Sequence, residues 1–352
     1  MTRILTLGAL AYLAACTGDT GIKDSGAVDD GCDVVVKTYP TDGSTTAYYR
    51  GAVEFDLSDA DDSATITSNS ITGTVSHNDD YTKWTLTPDA ALTPSTIYDA
   101  TLSYCGGEID ISFTTSELGT AMADPSTLTG RTYELALGDA RIVEPENVGE
   151  LLKQYLDVSI LVGIEAYVAD TAKLEMLGAL GKEGAEPADQ DFCNPSIEFP
   201  DADFSAQPHF VIGSSGVTPI TVAGITVEIG DLEISGDFAP DGSYFGGGVL
   251  SGTIDTRPLV TLIGEDAEED EICTLAAGLG IVCEPCSDGA SFCLSLLADS
   301  MVATEVAGLT LQFMEGNNCT TTGDTDGLMD CESWTAATLP EPEMMTCEEV
   351  VE

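Results

Sequence analysis

Positive charge is what this sequence has least of. Over 352 residues it carries 11 Lys plus Arg against 61 Asp plus Glu, a formal net charge of −50. Gripping a phosphate backbone takes clustered Lys and Arg, so a nucleic-acid function is excluded, and docking on anionic headgroups is disfavoured for the same reason. Histidine is nearly absent as well, with His77 and His209 alone. Two residues cannot furnish an HExxH zinc site, and a Ser–His–Asp triad would have His209 as its one plausible base. Gly213-Ser214-Ser215-Gly216 lacks the GxSxG spacing, and no SxxK pair occurs. Apart from the N-terminus, long apolar runs are missing: residues 158–168 (VSILVGIEAYV) fall short of a membrane span of about 20 residues and include Glu165. What is present is a 43% hydrophobic composition, enough for a sizeable core and against wholesale disorder. The length suits about two domains at roughly 100–200 residues each.

Residues 1–15 combine one cation, Arg3, with a short apolar stretch, the pattern of a signal peptide. They lead into Leu13-Ala14-Ala15-Cys16, which resembles the lipobox of bacterial lipoproteins. The resemblance implies that Cys16 is acylated on its sulfur and becomes the new N-terminus. It also implies that Thr17, in place of Asp, directs the chain to the outer membrane, facing the periplasm or the cell surface. The alternative is a plain secretory signal with Cys16 incidental. Residues 16–31 hold Gly, Asp, Thr and Ser with almost nothing to bury, and read as a flexible acidic tether. The triplets Asp19-Thr20-Gly21 and Asp24-Ser25-Gly26 inside it look like those of aspartic proteases. Such carboxylates work when two folded lobes make them share a proton, which a tether cannot do.

Setting Cys16 aside leaves an even ten cysteines: Cys32, Cys105, Cys193, Cys273, Cys283, Cys286, Cys293, Cys319, Cys331 and Cys347. In an exported chain this predicts five disulfides, one in the N-terminal region and four beyond residue 190, with the connectivity of the latter open. Cys283-Glu284-Pro285-Cys286 has the spacing of a redox pair or half a zinc site. The context of neither, a βαβ unit or a second CxxC, is present, so structural disulfides are expected.

Residues 32–116 read as short alternating strands separated by turns, the pattern of an antiparallel sandwich. Val53, Phe55 and Leu57 alternate with Glu54 and Asp56, Trp84 and Leu86 repeat the pattern, and Gly106-Gly107 suits a tight hairpin turn into Ile109, Ile111 and Phe113. Pro40-Thr41-Asp42-Gly43, Leu86-Thr87-Pro88, Leu92-Thr93-Pro94-Ser95-Thr96-Ile97-Tyr98 and Phe113-Thr114-Thr115, in that order, resemble the bacterial Ig-like domains of surface proteins, of the S-layer-associated type. The resemblance covers about a quarter of the chain and implies a stalk with no catalytic residues. This copy departs from the family in a shortened segment before the last strand and in Cys32 and Cys105, which are expected to pair. Residues 117–128 (ELGTAMADPSTL) follow as a linker.

Residues 129–335 read as an α+β, disulfide-rich domain: a curved antiparallel sheet or partial barrel with two or three helices, making the whole chain mainly β. Residues 146–156 (ENVGELLKQYL) place Val148, Leu151, Leu152, Tyr155 and Leu156 on one helical face. Helices are also expected from Arg257-Pro258 onward and over about 267–279. Strands are expected at Val158–Val168 with Leu174–Leu180 as hairpin partner, at Ile225–Ile229, Leu232–Phe238, Tyr244–Ile254 and Phe292–Val306, with Gly246-Gly247-Gly248 permitting a bulge or close backbone approach. Residues 183–208 read as a loop, and residues 336–352 as an acidic tail. Around Thr322–Ser333, Asp324, Asp326 and Asp330 fall at positions 3, 5 and 9 of a calcium loop, although Thr322 and Ser333 replace the ligands at its ends. The competing reading is an acidic loop closed by disulfides.

No catalytic constellation emerges. The expected function is a cell-surface binding or scaffolding module, its stalk presenting a C-terminal domain to a protein, a polysaccharide or an apolar small molecule held in a pocket lined by strands such as Val158–Val168. The alternative is a carboxylate-dependent extracellular hydrolase, for example on polysaccharide.

Overall fold

A computed structural model describes residues 34, 36–136, 138, 140–145, 159–182, 184–192, 194–213, 216–222, 225–262, 268–278 and 280–314. The chain is mainly β, as its alternating patterns require, and forms a sandwich followed by a barrel.

The sandwich has two antiparallel sheets. One runs β1 (Val36–Tyr39), β2 (Val53–Leu57), β5 (Lys83–Pro88), β4 (Gly73–His77); the other runs β3 (Thr65–Thr67), β6 (Ile97–Tyr104), β7 (Gly107–Thr114). Successive strands cross between the two sheets at β2–β3, β3–β4 and β5–β6. Val53, Phe55, Leu57, Trp84 and Leu86 from the first sheet share one core with Ile66, Tyr98, Ala100, Leu102, Ile111 and Phe113 from the second. The β6–β7 hairpin turns through Cys105-Gly106, with Gly107 at φ +118, where a glycine is favoured. Cys105 is disulfide-bonded; its expected partner, Cys32, lies outside the described residues.

In the second unit the sheet closes on itself. Its strands are β8 (Thr132–Ala136), β10 (Ser159–Val168), β11 (Lys173–Leu180), β13 (Ala202–Asp203), β14 (His209–Gly213), β16 (Ile225–Phe238), β17 (Tyr244–Asp255) and β18 (Cys293–Glu305). Neighbours pair antiparallel in the order β10-β8-β18-β17-β16-β14-β13-β11, and β11 pairs back onto β10, giving a closed barrel of eight strands. The expected curved sheet or partial barrel is therefore complete. Three short strands lie off the ring: β9 (Arg141–Glu144) on β18, β12 (Ile197–Glu198) on β11 and β15 (Val217–Val222) on β16.

Every barrel strand sends apolar side chains into one interior cluster, which is built around Tyr133, Phe204, Phe210, Phe238 and Phe245. Phe238 lies 5.2–5.9 Å from each of the other four ring centroids. These rings occupy the space in which an apolar ligand was expected. Small barrels fill their interiors with side chains in this way. The opposite face of β10 and β11 is buried too, because Leu161, Leu177 and Ala179 pack under Val306, Leu309 and Leu311. A strand covered on both sides needs apolar residues at successive positions, which explains the continuous run at 158–168.

Local differences from expectation have identifiable causes. Ile225–Ile229 and Leu232–Phe238 are one strand, β16, which continues through Asp231 at φ 48 and an irregular register. Residues 183–208 carry β12 and β13 in place of a plain loop. Residues from Arg257 form a 3-10 helix, Arg257–Leu262, and the later helix is α1 (Glu271–Gly278). The helix expected over 146–156 lies outside the described residues.

Candidate functional site

A buried polar cluster lies where the sandwich meets the barrel. Asp237 and His209 are direct partners across β16 and β14. Their sequence neighbours Phe238 and Phe210 fill the barrel, so the strand alternation turns Asp237 and His209 outward. Asp237 is nonetheless fully buried, because Tyr48 and Tyr49 of the sandwich cover it. Both hydroxyls donate to its carboxylate, Tyr49 at 2.7 Å, and His209 Nδ1 lies 3.0 Å from Oδ2. Arg50 Nε in turn donates to the Tyr49 hydroxyl at 2.8 Å.

Burial alone would raise the Asp237 pKa, but His209 and the two tyrosine hydroxyls outweigh it and hold the carboxyl below its usual range. An ionised carboxylate only accepts hydrogen bonds, so His209 Nδ1 is the donor to Asp237. Tyr49 shows the complementary response: burial and the bond to Asp237 push its hydroxyl up to about 12, and burial beside Asp237 raises Tyr48 further. An oriented Asp–His pair is two-thirds of a nucleophilic triad. The bonds from Tyr48 and Tyr49 of the sandwich to Asp237 of the barrel make the cluster a latch between the two units.

A second latch sits on the same junction. Arg141 of β9 grips Glu54 of β2 at 2.7 and 3.1 Å and Asp299 of β18 at 2.5 and 2.8 Å, with its guanidinium 4.2 Å from the Tyr39 ring centroid. One planar fork thereby serves two carboxylates, a geometry lysine cannot reproduce. The Tyr39 hydroxyl and Ser300 Oγ add a bond of 2.5 Å. Residues 117–128 also join the units, with Leu118 in the sandwich core and Met122 in the barrel core.

The cysteine-rich elbow offers no metal centre. Cys273 pairs with Cys283 and Cys286 with Cys293, so the two cysteines of the CxxC spacing are bonded elsewhere and not to each other. Asp255 approaches the sulfurs of Cys286 and Cys293 within 4.8 Å, but the disulfide uses both sulfurs and Arg257 holds the carboxylate at 2.5–3.0 Å. Arg257 also binds Asp288 at 2.7 Å. Asp255 is held below the usual carboxylate range chiefly by the Arg257 hydrogen bonds, and Asp288 by the Ala290 backbone and Arg257. Cys16, Cys32, Cys193, Cys319, Cys331 and Cys347, and the calcium candidates Asp324, Asp326 and Asp330, lie outside the described residues.

Sequence reasoning missed Asp237 among 61 acids and gave Tyr48-Tyr49-Arg50 no role. The usable signal was scarcity: in a chain with 11 Lys plus Arg, each cation is a candidate clamp. No family profile and no curated protein matches the chain. Among solved structures, an L,D-transpeptidase from Mycobacterium smegmatis aligns at 16% identity over 41% of this chain and 76% of its own, with a TM-score of 0.19. At that score the likeness carries no argument about fold or chemistry.

Proposed function

We propose that the protein is an outer-membrane lipoprotein, anchored through Cys16, that works as a binding or scaffolding module. In this reading a bacterial Ig-like stalk holds the barrel away from the membrane and the outer surface recognises a macromolecular partner. The observation that carries it is the ring-filled barrel: with Tyr133, Phe204, Phe210, Phe238 and Phe245 inside, recognition falls to the exterior. The two latches support it, because a stalk sets the bearing of what it carries only if the joint resists bending.

The hydrolase alternative has less support. A glycosidase needs one carboxyl kept protonated near neutral pH as a general acid. The described carboxyls with a resolved shift, Asp237, Asp255 and Asp288 among them, move down. Incubation of residues 17–352 with isolated envelope polysaccharide should retain the protein without releasing reducing ends. Steady release of reducing ends, abolished by a single Asp or Glu substitution, would reverse the preference. The anchor is tested separately: Cys16→Ser should move the chain from the membrane fraction to the soluble one.

A further inference from the structure

The outer edge of β4 is open. Among the described residues β4 pairs with β5 alone. Just beyond its two ends, Asn78 N donates to the Lys83 carbonyl and Asp89 N to the Thr72 carbonyl, both at 3.0 Å. Those bonds set the alternation of the antiparallel ladder, in which every second residue bonds to the neighbouring strand. Thr74 and Ser76 face β5, so the N–H and C=O groups of Gly73, Val75 and His77 point the other way. Natural sheets blunt such an edge with a very short strand, Lys, Pro, a bulge or a covering segment. Neighbouring edges show these devices. β1 carries Lys37 and runs into Pro40, β3 has three residues, and β15 carries Pro219. β7 is covered by residues 43–47, through Gly43 N to the Ser112 carbonyl at 2.7 Å and Ser116 N to the Ala47 carbonyl at 2.8 Å. β4 has five residues (GTVSH), no Lys, no Pro and an unbroken register.

The side chains add selectivity. Val75 lies opposite buried Leu86, on the core side of the sheet, yet is 38% exposed. A strand laid beside β4 would set a side chain against its methyl groups, where β-branched and aromatic residues pack best. The His77 ring is already held by Tyr81 and Trp84, with centroids at 4.4 and 4.9 Å, so His77 offers its backbone alone. Exposed carboxylates stand at both ends of the strand: Asp79 and Asp80 follow it, and Asp89 is joined to Thr72 just before it. Lys83, on the neighbouring strand, is turned to Asp56 at 4.0 Å.

We propose that the β4 edge binds an extended segment of another protein by strand addition, the segment having Lys or Arg at its ends and an uncharged β-branched or aromatic middle. The assignment rests on the binding-module reading above and gives it a protein partner. Main-chain bonds to Gly73, Val75 and His77 supply the attachment, and the residue opposite Val75 supplies the choice of side chain, as in other strand-addition complexes. Charge selects the ends of the segment: three carboxylates flank β4, and a chain of net charge −50 steers cationic partners toward itself. A second copy of this chain fits less well, because it would bring the same acids to both ends of the pairing and another −50 of charge.

Selection of phage-displayed random peptides on residues 17–352, with each round depleted on Val75→Pro, tests this. That proline removes an N–H that β5 does not use, so the β4–β5 ladder persists, as on natural edge strands. Recovered peptides should place Lys or Arg on either side of an uncharged β-branched or aromatic middle. In fluorescence anisotropy such a peptide should bind Val75→Pro roughly tenfold more weakly and Val75→Thr, which keeps the N–H, about as well as the native chain. N-methylation of its alternate backbone amides should also weaken it roughly tenfold, a comparison made on the native chain that does not depend on how Val75→Pro folds. Peptides that tolerate N-methylation at every position overturn the assignment. A native dimer that Val75→Pro dissolves would overturn it in favour of a second copy. If no peptide survives the depletion the assignment also falls, and retention on isolated envelope that Val75→Pro leaves intact would then keep the broader binding-module reading in place.

Discussion

Asp237 is the residue on which the junction turns. Its carboxylate has no solvent and three protein partners, Tyr48, Tyr49 and His209. Removing it strands two hydroxyls and an imidazole, so Asp237→Ala should cost about 3–5 kcal/mol in a urea titration, and Tyr49→Phe about 1.5–3 kcal/mol for one bond to a charged acceptor. The pH dependence has two edges. The folded pKa of Asp237 lies below its unfolded value of about 3.9, so its contribution is complete above that value and fades as pH falls through the folded pKa. The stability gap between the native chain and Asp237→Ala should therefore be level near neutrality and narrow in acid. Tyr49 works at the other end: raised to about 12, it contributes fully below about pH 10 and loses that contribution as pH climbs toward 12. A gap that stays constant down to pH 2 would show that folding leaves the Asp237 pKa unshifted, and a gap that widens in acid that folding raises it.

At the level of elements, the β17 glycines show why the two units meet so closely. Gly247 has φ +60, and a Cβ there would stand 2.1 Å from Cε2 of Tyr48; a Cβ on Gly246 would stand 2.9 Å from Leu118. Gly247→Ala should lose about 2–4 kcal/mol through backbone strain and overpacking. Gly213→Ala, with open space and no positive φ, should stay within about 0.5 kcal/mol. Chemical denaturation of both variants checks the contrast. Gly246-Gly247-Gly248 announces this close approach in the sequence, but not what approaches, because Tyr48 lies some 200 residues away and pairing at that distance leaves no local trace. The same limit governs the rest. Alternation in Val53–Leu57 and the apolar run at 158–168 reflect burial of each strand itself, so they were legible. Closure of the ring by β11 on β10 and the union of His209 with Asp237 depend on register between distant strands. The two disulfides joined by the elbow, Cys273–Cys283 and Cys286–Cys293, were legible as disulfides but not as pairs, since spacing alone does not choose among connectivities.

As a whole molecule, sandwich and barrel behave as one body in this account. The Asp237 and Arg141 latches, with Leu118 and Met122 shared between the cores, couple their stabilities. Calorimetry should give a single cooperative transition for the native chain. Asp237→Ala combined with Arg141→Ala should split it into two, because each unit keeps its own core when the latches are removed. Two transitions in the native chain would mean that the latches do not couple the units. The central claim is that the protein acts through its surface and carries nothing in its barrel. Native mass spectrometry of residues 17–352, secreted into an oxidising compartment, tests it most directly. The account predicts the mass of the bare polypeptide with its disulfides formed; a stoichiometric lipid or other apolar small molecule on the purified protein would contradict it.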